Sequence, residues 1–99
     1  MLISDTFGRP FRLGHMDICI GIAGLNPLLD LRGQQDLFGY QMRVKRTAIG
    51  DELASAAELV IGNCREKIPA AIIRGYAFNE DDSAKAIDAI MPRENNLFI

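Results

Sequence analysis

The sequence holds 99 residues, of which 48% are hydrophobic and 24% are charged, and its formal net charge at pH 7 is −2. A chain of this length forms at most one small domain, here residues 1–99, which buries roughly two thirds of its unfolded surface around a thin core. The slightly acidic balance supplies no basic field for nucleic acid or anionic lipid, so we expect no nucleic-acid partner and no membrane partner.

The cysteine content and the apolar runs indicate the compartment. Cys19 and Cys64 lie far apart without metal-type spacing, and a thiol in an apolar run is ordinarily a small buried side chain. The longest such run, residues 18–25, is far shorter than the roughly 20 residues that span a bilayer. No charged and then apolar leader opens the chain. We therefore expect reduced thiols and a soluble, cytoplasmic protein.

The opening residues place a carboxylate beside a hydroxyl. Asp5 and Thr6 lie in a stretch bounded by Gly8 and Pro10, which predicts a turn. Because Mg²⁺ and Mn²⁺ prefer oxygen ligands, the two side chains are candidates for holding a divalent cation. The same residue types more commonly satisfy nearby backbone N–H groups in a turn or at a helix start. On the residues alone, both interpretations stay open.

Three later segments have the composition of strands. Residues 18–25 form an apolar run that predicts a buried strand, and Gly21 and Gly24 within it indicate that another backbone passes close by. Residues 40–45 alternate apolar with polar side chains, as in a strand with one face on a core. Residues 70–74 predict a second short buried strand.

Two segments have helical periodicity. The first covers residues 49–61, with two acidic residues, Asp51 and Glu52, near its positive end and Gly62 placed to terminate it. Its apolar stripe consists of Ile49, Leu53, Ala56, Ala57 and Val60. The second covers residues 83–91 and stops at Pro92. The apolar tail at residues 97–99 is expected to dock on the domain or on another chain.

Common signatures of nucleotide and hydrolase sites are absent from the sequence. It has no G-x-x-x-x-G-K-[ST] loop, no G-x-G-x-x-G, no H-E-x-x-H and no G-x-S-x-G. The one histidine, His15, is more often a solvated or hydrogen-bonded side chain than a proton carrier. Any nucleotide site is therefore of a less common type.

Six segments resemble one known family. They are SDTFGRPFR at residues 4–12, DICIGIAGL at 17–25, LDLRG at 29–33, DELASAAELV at 51–60, IIRG at 72–75 and PRENNLF at 92–98. In this order they resemble the C-terminal half of the ligase domain of the coenzyme F420:L-glutamate ligases, the F420-0 gamma-glutamyl ligases. The resemblance covers essentially the whole chain.

The resemblance implies an activity and a set of site residues. Members of that family use GTP and Mg²⁺ or Mn²⁺ to join L-glutamate to the phosphorylated deazaflavin precursor F420-0 through an amide bond, by way of a phosphorylated carboxylate. Asp5 and Thr6 match metal ligands, one for each of two ions. The matching nucleotide-contacting loop is Ile61, Gly62, Asn63, Cys64, Arg65, Glu66, Lys67 and Ile68. Within it, the position of Asn63 also contacts a metal.

The arginines and acidic residues each allow a second interpretation. Arg12, inside the most distinctive segment, is the candidate for clamping a phosphate or a substrate carboxylate, whereas Arg9 and Arg32 have the ordinary alternative of solvated surface groups. Cations at residues 65 and 67 hold phosphate or simply complement the negative end of a helix. The helix face from Glu52 to Glu58 is expected to be a solvated surface rather than a catalytic pair.

The chain also departs from the family pattern. His15 and Met16 precede Asp17 where members commonly carry Gln-Thr, which removes an amide and a hydroxyl. The family domain is more than twice as long, and its first half brings further GTP contacts and another metal-binding aspartate. Positioning and charge neutralisation supply most of the catalysis in phosphoryl transfer, so the site needs those residues as well.

These observations predict an α+β fold, with a small mixed or antiparallel sheet flanked by two helices, as half of a larger ligase domain. One hypothesis is a GTP- and metal-dependent amide-forming ligase that is active only with its missing half, supplied for example by a partner chain. The alternative is a non-catalytic truncated relative that acts as an oligomeric nucleotide-binding or interaction module. Both hypotheses predict association, with a copy of the chain or with that partner.

Overall fold

The computed structural model describes residues 1–41, 46–62 and 68–91. Its elements in chain order are β1 (Leu2–Gly8), β2 (His15–Ile22), β3 (Gly24–Leu25), β4 (Leu29–Asp30), β5 (Arg46–Thr47), α1 (Ile49–Ile61), β6 (Glu80–Asp81) and a 3₁₀ helix (Ala86–Ala89). The strands form three separate antiparallel pairs, β1 with β2, β3 with β6 and β4 with β5. The predicted α+β class is confirmed.

A long antiparallel hairpin opens the chain. β1 and β2 pair over their full lengths, with Thr6 opposite Asp17 and Gly8 opposite His15, and a β-bulge lies between Ile3 and Ser4. The predicted turn at the first residues is therefore wrong. Over residues 2–5 half-buried and exposed side chains alternate, which is the period of a strand with one covered face. The chain turns later, at Pro10.

The predicted strand at residues 18–25 is confirmed in position, as β2 followed by β3. Its predicted burial is wrong for most of β2, where Ile20 is 53% exposed. Gly21 and Gly24 are glycines for different structural reasons. A Cβ at Gly21 would lie 3.2 Å from the Ile3 side chain, so the close neighbour is a side chain of the paired strand rather than another backbone. A Cβ at Gly24 would meet nothing within 4 Å, and its φ of +89° accounts for the glycine instead.

Helix α1 covers residues Ile49–Ile61, as predicted from periodicity. Gly62 ends the helix with a φ of +72°, and its N–H donates to the Glu58 carbonyl. The buried face differs from the predicted apolar stripe. Ala56 and Val60 are exposed, whereas Ala54 is buried. The helix is rotated about its axis relative to the orientation that the apolar stripe predicts, because polar side chains on one of its faces bond to β2.

The core lies where the start of α1 meets β3 and the segment that follows it. Its buried apolar residues are Leu25, Pro27, Ile49, Ala54 and Ala84. Gly50 allows the closest approach, since its N–H donates to the Pro27 carbonyl at 3.0 Å and a Cβ there would lie 3.3 Å from Pro27 and Cys19. This set is small, in agreement with the thin core expected for this length.

Two predicted elements are wrong. Residues 70–74 form no strand and are exposed. A strand needs a neighbouring strand for its backbone hydrogen bonds, and none lies beside these residues in the described ranges. Of the predicted helix at residues 83–91, only the 3₁₀ turn Ala86–Ala89 is present. Ile87 and Ile90 are exposed, so this short segment lacks the packed face that stabilises a helix. Two flanking helices are therefore not found in the described chain.

Two further predictions fall partly or wholly outside the described residues. Of the predicted strand at 40–45, residues 42–45 lie outside, and Gln41 forms an isolated bridge with Gln35. The apolar tail at 97–99 lies outside as well. In the part of the chain that the structure describes, no helix has the length and apolar character of a membrane span.

Candidate active site

Asp17 is the buried charged residue of the hairpin, with 7% of its surface exposed. Two hydroxyls of β1 donate to its carboxylate. Ser4 Oγ lies 3.2 Å from Asp17 Oδ2, and Thr6 Oγ1 lies 3.3 Å from Asp17 Oδ1. Ser4 and Thr6 are two residues apart in a strand and share a face, so a single acceptor between them reaches both.

Asp5 and Thr6 are neighbours in β1, and their side chains have different partners. Asp5 Oδ1 accepts the Thr6 backbone N–H at 2.8 Å, whereas the Thr6 hydroxyl donates to Asp17. Both residues are exposed. Because successive side chains of a strand point to opposite faces, the two oxygens do not converge on one point, and the expectation that they hold one cation together is wrong.

Polar side chains on one face of α1 form hydrogen bonds with backbone groups on the edge of β2 that faces away from β1. Glu58 Oε2 accepts the Asp17 N–H at 2.9 Å, Ser55 Oγ donates to the Asp17 carbonyl at 2.7 Å, and Asp51 Oδ1 accepts the Cys19 N–H at 2.9 Å. The spacing of 51, 55 and 58 is one helical face. The expectation of a solvated acidic surface therefore holds for Glu52, which is exposed, and is wrong for Glu58.

Cys19 lies beside this edge as a free thiol. Its Sγ lies 3.3 Å from the Gly21 carbonyl oxygen. Burial raises the pKa of the Cys19 thiol, and the bond to Gly21 opposes that shift. A thiol held in its neutral form is a poor nucleophile and a poor metal ligand, so Cys19 takes a packing role here.

The three candidate arginines have different surroundings. Arg32 forms an ion pair with Asp30, and this guanidinium lowers the pKa of Asp30 to about 2. Arg9 Nη2 donates to the Leu13 carbonyl. Arg12 is exposed in the connection between β1 and β2 and makes no hydrogen bond or ion pair with another described residue. Of the three, Arg12 is therefore the one available to a ligand.

The nucleotide-contacting loop expected from the resemblance is described only at its ends. Ile61 is the last residue of α1, Gly62 caps it, and Ile68 is 40% exposed. The residues between them, Asn63, Cys64, Arg65, Glu66 and Lys67, lie outside the described ranges. The structure thus tests neither their contacts with a nucleotide nor the metal contact expected of Asn63.

An open apolar groove of about 570 Å³ runs between β1 and α1. Its lining includes Leu2, Leu53, Ala57, Ile61, Ile72 and Phe78. Ser4 also lines the groove, so one of the two hydroxyls that bond to Asp17 borders it. Many of the apolar side chains in this region stay exposed, Ile72 to 78%, which is unusual for the surface of a monomeric domain.

The oxygen donors fit a hard divalent cation in kind. Asp5 offers a carboxylate and Thr6 a hydroxyl, both exposed, and Mg²⁺ is commonly held by one or two carboxylates together with substrate phosphates and water. Over residues 1–41, 46–62 and 68–91, no group of three or more His, Cys, Asp or Glu side chains could hold a metal. Further ligands would come from phosphate, water or other residues.

Comparison with known proteins decides the family. A family model described as F420-0:Gamma-glutamyl ligase matches residues 1–75. The chain belongs to this ligase family. It is 44% identical over 99 residues to the coenzyme F420:L-glutamate ligase of Methanothermobacter thermautotrophicus, covering 99% of this chain and 39% of that protein.

Two further proteins named coenzyme F420:L-glutamate ligase are similar to the chain. The protein of Methanocaldococcus jannaschii is 45% identical over 98 residues, covering 99% of this chain and 39% of the relative. The protein of Methanopyrus kandleri is 49% identical over 75 residues, covering 76% of this chain and 30% of the relative. The chain thus spans about two fifths of the length of the first two ligases.

Asp17 and Glu58 belong to the group of bonded polar side chains around Ser4 and Thr6, although neither is a predicted site residue. A signal for Asp17 was present, because Ser4 and Thr6 have the period-two spacing that places two hydroxyls on one strand face. Their shared acceptor became visible only when the register of β1 against β2 was known. For Glu58, nothing in the local sequence indicates that its partner is a backbone N–H of a distant strand.

Proposed function

We propose that this chain supplies part of the active site of a GTP-dependent and divalent-metal-dependent ligase that joins L-glutamate to F420-0 through an amide bond. The observation that carries the proposal is the 44% identity over 99 residues to an enzyme named coenzyme F420:L-glutamate ligase. The exposed oxygen donors of β1 support it, because amide formation driven by GTP needs charge neutralisation near the phosphates.

Asp5 and Thr6 would each hold one Mg²⁺ or Mn²⁺ ion. When bound, such ions neutralise the charge that develops as the γ-phosphoryl group moves to a carboxylate. The contribution of the chain is to fix the two oxygens on a paired strand. The alternation of β1 places them on two faces, so each would hold a separate ion.

Other residues of the chain would bind and orient the substrates. Arg12 is exposed and has no partner among the described residues, so its guanidinium is available to clamp a carboxylate or phosphate in two parallel hydrogen bonds. The segment from Ile61 to Ile68 would contact GTP at the end of α1. The amine of L-glutamate would attack the phosphorylated carboxylate, forming the amide bond and releasing inorganic phosphate.

Activity would require the remainder of the ligase, in the same or a second polypeptide. The chain spans 39% of the Methanothermobacter thermautotrophicus protein, and a triphosphate must be positioned from several sides for efficient transfer. The exposed apolar groove supports association with that remainder or with a second copy, since burying apolar surface contributes about 25 cal/mol per Å².

Calorimetric titration with GTP and Mn²⁺ tests the proposal. The chain is titrated alone and after addition of the part of the Methanothermobacter thermautotrophicus ligase outside the matched region. We expect Mn²⁺ binding to the chain alone and GTP binding with amide formation once the remainder is present. Asp5→Asn should weaken Mn²⁺ binding at least tenfold, whereas Asp82→Asn, an exposed control, should not.

Two results would contradict the proposal. Equal Mn²⁺ affinity in Asp5→Asn and the parent would remove the ligand assignment. Absence of GTP binding and of amide formation with the remainder present would remove the ligase activity. That second result would favour the alternative of a non-catalytic interaction module.

A further inference from the structure

The carboxylate of Asp17 bonds to two side chains of the neighbouring strand. It is buried, yet it lies beside Thr6, whose own surface is exposed. A buried carboxylate is costly unless its oxygens are hydrogen-bonded, and here both oxygens accept hydroxyl protons, one from Ser4 and one from Thr6. The buried carboxylate therefore bonds to the hydroxyl of a residue that is itself exposed.

The backbone of Asp17 is held from the helix as well. Glu58 accepts its N–H and Ser55 donates to its carbonyl, at 2.9 and 2.7 Å. These bonds join the residue to α1 in addition to its register position opposite Thr6. Asp17 is thus fixed by two elements, which gives its carboxylate a defined position relative to the Thr6 hydroxyl.

The bond from Thr6 to Asp17 decides where the hydroxyl proton lies. A hydroxyl carries one proton and two lone pairs. When the proton is directed at Asp17 Oδ1, the lone pairs of Thr6 Oγ1 face away from the carboxylate and are available to a cation. A cation on that oxygen makes the hydroxyl a stronger donor, so the 3.3 Å separation would shorten on binding.

We propose that Asp17 is a positioning residue that orients the Thr6 hydroxyl as a ligand for a divalent cation. The inference rests on the proposed function, in which Thr6 holds one of two ions. Partners that orient a metal ligand typically change metal affinity by about 10- to 100-fold when they are removed. Asp17 would act through Thr6, and the coupling between substitutions at the two residues separates this role from direct attraction of the cation by the Asp17 charge.

A double-mutant cycle on the full chain tests the inference, with Mn²⁺ alone as the probe and free Mn²⁺ measured by electron paramagnetic resonance. The variants are Asp17→Asn, Thr6→Val and the two together. We expect about tenfold weaker Mn²⁺ binding for Asp17→Asn in the parent, and less than about threefold further weakening when it is added to Thr6→Val. Ser4→Ala, which removes the other hydroxyl, should change the affinity less than about twofold.

Thermal unfolding of each variant separates binding from folding. If Asp17→Asn is not folded at the assay temperature, Asp17→Glu keeps the charge and displaces the acceptor by one methylene, and the same weakening is expected. Equal affinity of Asp17→Asn and the parent, with Thr6→Val impaired, overturns this inference and leaves the ligand assignment standing. Equal weakening by Asp17→Asn in both backgrounds also overturns it. No effect of Thr6→Val, or no Mn²⁺ binding by the parent, overturns the ligand assignment together with the inference.

Discussion

Glu58 accepts the backbone N–H of Asp17 at 2.9 Å, although 41 residues of chain separate them. In a sheet, that N–H would bond to the carbonyl of a neighbouring strand. Here a helix side chain takes the place of the strand, and Ser55 and Asp51 do the same for two further backbone groups of β2. The helix is therefore attached to the hairpin by directional bonds as well as by apolar packing.

Removal of the Glu58 carboxylate should destabilise the chain. Glu58→Ala leaves the part-buried Asp17 N–H without its acceptor, and an unsatisfied buried donor costs about 1–3 kcal/mol. Urea denaturation measures the change in the free energy of unfolding. Glu58→Gln, which keeps an acceptor oxygen, should lose less than Glu58→Ala, and equal losses in the two variants would argue against the bond.

The two acidic residues in the first turn of α1 should differ in their effect on stability. Asp51 and Glu52 both lie near the positive end of the helix, so each contributes about 0.3–1 kcal/mol through the helix dipole. Only Asp51 also accepts the Cys19 N–H, which adds roughly 1 kcal/mol. Asp51→Ala should therefore lower the free energy of unfolding more than Glu52→Ala. If the two losses match, the helix dipole alone explains both.

Asp30 should titrate with a pKa of about 2, because the Arg32 guanidinium donates to its carboxylate. A depressed pKa in the folded chain means that the pair's contribution to stability is present above the ordinary pKa of 3.8. That contribution is lost as the pH falls through about 2. The titration can be followed by the NMR shift of the Asp30 carboxyl carbon.

Arg32→Gln should return the pKa of Asp30 towards its ordinary value. Arg12→Gln serves as the matched control, since Arg12 makes no contact with Asp30 in the structure, and it should leave that pKa unchanged. A pKa of Asp30 that stays near 2 in Arg32→Gln would show that another group holds the carboxylate.

Phe11 occupies the left-handed region, with a φ of +60°, and its side chain is 96% exposed. This conformation costs roughly 1–2 kcal/mol for an ordinary L residue, whereas asparagine tolerates it. Phe11→Asn should therefore raise the free energy of unfolding by about 0.5–1 kcal/mol. Leu13→Asn replaces another exposed apolar side chain of the same connection, at a residue without positive φ, and should change it by less than about 0.5 kcal/mol.

The sequence allowed helix α1 to be predicted from end to end, because its periodicity, its acidic first turn and Gly62 all indicate the same boundaries. The predictions of a second helix at residues 83–91 and of a strand at residues 70–74 are wrong for the same reason. Apolar content indicates that a segment favours burial, but burial requires a neighbouring element to pack against it. No such element lies against these two segments in the described chain.

For the candidate site, the sequence identified the residues more readily than their arrangement. The sequence predicts Asp5 and Thr6 as adjacent oxygen donors in a turn. The structure has a strand there, and the strand places the two side chains on opposite faces. The position of Asp17 depends on strand register, and that of Glu58 on helix rotation. Both depend on contacts between residues distant in sequence, which no local pattern contains.

The polar face of α1 has a consequence for how this hairpin can grow. Helix side chains already occupy the N–H and the carbonyl of Asp17 and the N–H of Cys19, so an incoming strand cannot bond to these groups. β1 pairs only with β2 in the part of the chain described. The ribbon is therefore extendable in one direction, and any strand contributed by the rest of a ligase must be added alongside Leu2–Gly8.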